Sequence, residues 1–151
     1  MSVVALEMTG GDKLDRHLAG LLDALSSASG VKVGFLEDRE YSNGLKVAQV
    51  AFWNEFGTIR MPPRPFFRRM IGAKSKNWGK QFASVLKAFG YDAKRAFGYL
   101  GKLISEDLRT SINEFSSPAL SPRTIARKGF AKPLIDTGEM LRAPDFQVIE
   151  R

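Results

Sequence analysis

Residue types able to do acid–base, nucleophilic or metal chemistry are thinly spread along this chain of 151 residues. Cysteine is absent, which removes thiolate nucleophiles, thiolate metal sites and disulfides together and fits a reducing compartment. The single histidine, His17, lies in a leucine-striped stretch and reads as a solvated helix position, not a general base. Glu37, Asp38 and Glu40, with Arg39 among them, have a spacing that could serve a weak calcium site. The EF-hand pattern and its glycine are missing, so a solvated loop is the simpler reading. Glu106, Asp107 and Glu114 fall on the polar side of a long helical pattern, as surface charges. No GxGxxG after a strand, no GxxxxGK[ST], no HExxH and no GxSxG occurs. The expectation is a chain without catalytic residues, cofactor or metal.

Charge is the next chemical resource, and it is unevenly placed. Between Arg60 and Lys102 there are eleven Lys or Arg against one acid, Asp92, so that stretch carries +10 of a total of +7 and the remainder is near −3. Such a stripe favours anionic partners: nucleic acid, an acidic protein face or a membrane surface. Yet Lys74, Lys76, Lys80, Lys87, Lys94 and Lys102 occupy polar faces of amphipathic patterns, where charge is expected anyway, and no helix-turn-helix, zinc finger or aromatic RNA-binding signature accompanies them.

A third resource is AFWNEFGTIRMPPRPFF, residues 51 to 67, with five aromatics, three prolines and Glu55 as its only acid. Its plain reading is a loop whose Phe52, Phe56 and one of Phe66 or Phe67 plug the core. Pro62, Pro63 and Pro65 give up backbone donors and cannot pair in a central sheet, which places the segment at a surface or against another subunit. Rigid backbone, aromatic rings, Arg60 and Arg64 are what a pre-organised protein interface uses, because little ordering entropy is lost on binding. Phe52, Glu55, Phe56, Gly57, Arg60, Pro62, Pro63, Arg64, Pro65, Phe66 and Phe67 are therefore the candidate interface residues. Glu55 and Arg64 are the expected ion pair, bracing the helix end to the extended segment or reaching across subunits.

The elements that must position these residues can be read in turn. VVALEM (3–8) reads as a strand ending at Thr9-Gly10-Gly11. Asp12 can cap a helix striped by Leu14, Leu18, Leu21, Leu22 and Leu25, and Val31, Val33 and Phe35 alternate as a strand. Val47, Val50, Ala51 and Phe56 fit a short helix with Gly57 as a left-handed C-cap. Residues 58–64 should be extended, with Pro65 set to start a new helix. Trp78, Phe82, Val85, Leu86 and Phe89 mark one helix. Ala93 through Phe115 mark another, roughly 35 Å long, weakened by Gly98 and Gly101 by about 1 kcal/mol each unless another chain segment approaches closely there. Ser121-Pro122 opens a short helix to Lys128, Thr137 can cap the turn GEML, and FQVIE reads as a strand. The predicted fold is α+β: a small, mainly antiparallel sheet of three to four strands with two long helices packed on one face, in one domain. A chain of this length can bury roughly 70% of the surface its unfolded form exposes. The first ten residues do not read as a secretion signal, and no apolar run approaches the roughly 20 residues of a membrane span.

Three pieces in register also resemble a known family. Asn54-Glu55-Phe56-Gly57-Thr58, Pro62-Pro63-Arg64-Pro65-Phe66 and Pro133-Leu134-Ile135-Asp136-Thr137-Gly138 are similar to the paired signatures of the virion morphogenesis or tail-completion proteins of tailed phages. The likeness spans about residues 31 to 150 and departs from the pattern at Ala143-Pro144. It implies a non-catalytic virion protein at the neck between tail and head, in a small α+β domain that assembles into a ring, often sixfold, around passing genomic DNA. Its implied partners are connector, tail terminator and tail tube proteins, with a monomer before recruitment, no membrane, and the host cytoplasm as the place of assembly. Asp136, Thr137 and Gly138 would form a structural turn, with Asp136 and Thr137 as caps. A lone domain with a radius of gyration of roughly 15 Å could not encircle a duplex, whereas a closed cyclic assembly could. The alternative within the class is a tail terminator. The rival outside it is a nucleic-acid binder acting through residues 60–102, and a cell-wall hydrolase, which would need an acidic pair in a cleft, comes third.

Overall fold

The computed structural model describes residues 11–151. Among these the chain is α+β, with helices α1 (Gly11–Ser26), α2 (Val47–Phe56), α3 (Phe66–Ala88), α4 (Ala93–Glu114), α5 (Pro122–Lys128) and α6 (Glu139–Arg142), and a two-stranded antiparallel sheet of β1 (Ala28–Gly34) and β2 (Asp145–Glu150). The strand expected over residues 3–8 lies outside the described residues. None of the described helices is long and apolar enough to cross a membrane.

The clearest periodicity in the sequence becomes the central helix. Ala93, Ala96, Leu100, Ile104, Leu108 and Ile112 recur at three- and four-residue steps and are all buried, so this stripe of α4 is the spine of the core. Asp92 caps the helix by accepting the Arg95 N–H at 3.0 Å. A tight turn in which Gly90 and Tyr91 both take positive φ returns the chain from α3 to α4. Across that pair the Phe82 and Phe97 rings stack at 4.3 Å.

The sheet lies on α4, with Val31 opposite Val148 and Val33 opposite Phe146. Gly101 is the point of closest approach: a Cβ there would stand 2.5 Å from the Phe146 ring and 2.7 Å from Val31 Cγ2. Its helix-propensity cost of about 1 kcal/mol is thus offset by apolar surface that both strands bury against the helix. Gly98 is different, its nearest neighbour being Val148 Cγ2 at an ordinary 3.9 Å.

Several boundaries differ from expectation. β1 begins at Ala28, not Val31, because Ala28 already pairs with Glu150 and a register irregularity before Gly30 absorbs the small residues. The stripe from Trp78 to Phe89 is the distal half of a single 23-residue helix that starts at Phe66. β2 starts at Asp145, directly after Ala143-Pro144. α5 occupies the expected span, with Ser121 Oγ accepting the Thr124 N–H at 3.3 Å. No residue of α1 is buried, and Leu14, Leu18 and Leu22 of its stripe stay largely exposed.

Candidate functional site

α2 and α3 are joined by nine residues whose backbone has almost no freedom. The Gly57 N–H closes α2 on the Trp53 carbonyl at 2.8 Å, and Gly57 then takes φ 78° and ψ 176°. This is not the left-handed C-cap expected, whose ψ would be near 47°, but an extended mirror-image conformation that is essentially glycine's alone. Space requires glycine too, since a Cβ would meet the Pro63 nitrogen at 2.8 Å and the Met61 carbonyl oxygen at 2.9 Å. Residues 58–61 are a reverse turn, not an extended run: Thr58 and Met61 exchange backbone hydrogen bonds of 2.8 and 3.2 Å. The Arg64 N–H then donates to the Asn54 carbonyl at 2.6 Å and ties the loop back to α2.

Glu55 holds the next element. α3 starts after Pro65, which supplies no side-chain cap, leaving the first N–H groups of a long helix in need of acceptors. Glu55, 6% exposed, provides them: Oε2 accepts the Phe67 N–H at 2.9 Å, and Oε1 accepts the Arg68 N–H at 3.1 Å and Arg68 Nε at 2.7 Å. Arg68 Nη2 also donates to the Glu55 carbonyl at 3.0 Å. A carboxylate at the positive end of a helix is favoured by the aligned backbone dipoles, so the C-terminus of α2 serves as the N-cap of α3. The expected Glu55–Arg64 pair is therefore replaced by Glu55–Arg68. Arg68 stands outside the candidate residues that the sequence singles out. Its signal was an α3 start without Ser, Thr, Asp or Asn at the cap, beside a lone acid.

Arg64 points the other way, into the protein. It is 7% exposed, its Nη1 lies 3.4 Å from Asn54 Oδ1, and its Nε has no partner. Burial pushes its pKa below the ordinary guanidinium value. It lines a cavity of about 770 Å³ bounded by the 58–64 turn, α5 and the 133–138 turn, whose walls include Arg60, Arg127, Lys128, Asp136, Leu134 and Met140. Burial also lowers the Lys128 pKa, with Arg64 and Arg127 acting in the same direction and Asp136 opposing them.

The exposed side of this unit is aromatic. On α2 the inward positions are Val47, Ala51, Asn54 and Glu55, while Phe52 and Phe56 are 59% and 53% exposed with ring centroids 4.7 Å apart. These two rings therefore do not plug the core. The Arg68 guanidinium covers the Phe56 ring at 4.9 Å, and Ile59 at the tip of the turn is wholly exposed. A shallow apolar hollow of about 390 Å³ runs beside the rings, lined by Phe35, Ala48, Phe52, Phe56 and Phe67.

Placed on the structure, the eleven candidate residues divide. Phe52, Phe56, Arg60, Pro62 and Pro63 are exposed, and Gly57, Pro65 and Phe67 half-buried. Glu55, Arg64 and Phe66 are buried within the chain; Phe66 belongs to the core beside Met70 and Leu108. The Asp136, Thr137, Gly138 turn also differs from expectation. The N-cap of α6 is Gly138 at φ 83°, with no side-chain cap from Asp136 or Thr137. Arg142 holds the turn instead, donating to the Thr137 carbonyl at 3.3 Å and to Glu139 at 2.7 Å. In the 37–40 loop Glu37 pairs with Arg39 and Asp38 with Lys46 at 2.6 Å, and among the described residues no group of three potential metal ligands gathers.

No known protein family, no curated protein and no solved structure matches the chain. The geometry offers two capabilities: a stiff apolar surface at Phe52, Phe56 and Ile59, and a recessed cationic cavity at Arg64.

Proposed function

We propose that this chain is a non-catalytic structural protein of a tailed phage or prophage, completing the tail and joining it to the head at the neck, with the Phe52–Ile59 surface as its docking face. The observation that carries this reading is two neighbouring phenylalanines, their rings tilted against each other, and an isoleucine held in solvent on a backbone that Gly57 and Glu55 fix. Apolar surface on an already ordered segment gains affinity when covered and loses little entropy. The motif likeness supplies the setting: a ring of identical copies in the virion neck, recruited from monomers in the host cytoplasm, touching connector, tail terminator and tail tube proteins. In that ring the sheet would have three to four strands, since each strand of the two-stranded sheet keeps an open edge on which a further strand can pair. A tail terminator capping the tube would use the same face.

The basic stretch favours DNA recognition less than its charge suggests. Of its eleven cations, Arg64 is buried, Arg68 pairs with Glu55, Lys74 with Asp107 at 3.4 Å and Lys94 with Glu150. The test replaces Phe52 and Phe56 together by Ser in a producing phage and images the particles. Folded protein with heads and tails left unjoined is the expected result, and joined particles at the normal yield would overturn the reading.

A further inference from the structure

We propose that the cavity lined by Arg64, Arg127 and Lys128 binds a carboxylate side chain carried on an apolar segment of a partner protein. This holds whether or not the chain serves at a phage neck, because it rests on Arg64 and not on the Phe52–Ile59 surface.

A buried guanidinium ordinarily finds a carboxylate or a full set of acceptors, since stranding a desolvated donor is costly. Arg64 has neither: one long contact to Asn54 and an unpartnered Nε, at 7% exposure. Nε is one edge of the fork through which arginine grips a carboxylate by two parallel hydrogen bonds, and it has almost no accessible surface in the free chain, so the side chain must turn to use it. The surroundings leave the deficit standing. Arg60, Arg127 and Lys128 also line the cavity, and Asp136 is the one carboxylate among its lining residues. Neither Arg60, Arg64, Arg127 nor Lys128 belongs to an ion pair among the described residues, although Lys128 Nζ donates to the Lys132 carbonyl at 2.9 Å.

Shape selects the carrier. A free phosphate would leave most of about 770 Å³ unfilled and would ignore the apolar wall at Leu134 and Met140. A duplex phosphate sits on a broad backbone and is met by exposed cations, whereas Arg64 is 7% exposed at the wall of the cavity. An Asp or Glu tip flanked by apolar residues satisfies both the guanidinium and the wall.

Arginine side-chain and backbone amide NMR of the full chain tests this with the blocked peptide Ala-Leu-Glu-Leu-Ala as probe. The Glu peptide should shift the Arg64 Nε–H signal and the amides of residues 124–128, and its Gln twin should bind at least about tenfold more weakly. Arg127→Gln, at an exposed position, should weaken the Glu peptide several-fold while leaving the spectrum of the free protein otherwise unchanged. Arg64→Met should abolish the response. The proposal fails if neither peptide moves the Arg64 signal, if the Gln twin binds as tightly, if Arg64→Met still binds, or if inorganic phosphate or a short DNA duplex saturates the same signals more strongly than the peptide.

Discussion

Glu55 and Arg64 stand at the two ends of one short connection, are 6% and 7% exposed, and meet opposite fates. The carboxylate accepts two backbone N–H groups and a guanidinium, so every demand its burial creates is met inside the chain. The guanidinium keeps one long contact and an orphan Nε, beside a cavity with three more cations. A buried charge that is fully bonded is a brace. One that is not directs attention to something outside the chain, because evolution of a purely internal position could have replaced it with an apolar residue of similar size at little cost or with a gain.

The contrast can be broken most severely at Glu55. Glu55→Gln puts an amide donor against the N–H groups of Phe67 and Arg68, and should destabilise the fold by about 2–4 kcal/mol in urea unfolding, tempered by the exposure of Arg68. Gly57→Ala follows, at about 1–3 kcal/mol, since its methyl meets backbone atoms and its positive φ with extended ψ is strained; it should loosen both ends of the connection, read as faster hydrogen exchange at the Arg64 and Phe67 amides. Asn54→Ala removes the one side-chain acceptor near Arg64 and should cost about 1 kcal/mol by thermal melting, less than Glu55→Gln, because so little of the Arg64 hydrogen bonding depends on it. Smallest of all, Thr137→Ala should change stability by no more than about 0.5 kcal/mol, where a true cap would cost about 1 kcal/mol.

What the sequence disclosed and what it hid divide along the same physical line. α4 was legible because one unbroken stripe from Ala93 to Ile112 admits no other period, and α5 because Ser121-Pro122 is a local signal read without tertiary context. The partner of Glu55 was hidden, since Arg60, Arg64, Arg68 and Arg69 are all close in sequence. The choice depends on α3 starting at Phe66, which aims two backbone donors at one carboxylate. The caps assigned to Asp136 and Thr137 failed because Gly138 takes the capping position in a left-handed conformation and Arg142 folds back over the turn. α2 inverts the usual pattern, burying Asn54 and Glu55 while leaving Phe52 and Phe56 in solvent, and no hydropathy rule would turn it that way. That inversion is legible only in three dimensions, and it marks the face on which the proposed docking depends.

The most direct test of the distinction between the closed charge and the open one is a paired thermal unfolding of Glu55→Gln and Arg64→Met against the parent chain in phosphate-free buffer. The two should move apart: Glu55→Gln melting well below the parent, Arg64→Met melting at the parent temperature or above it, because methionine keeps the packing and removes an unpaired buried cation. Equal and substantial losses in both would mean that Arg64 is as fully engaged inside the chain as Glu55, and the open site would not exist.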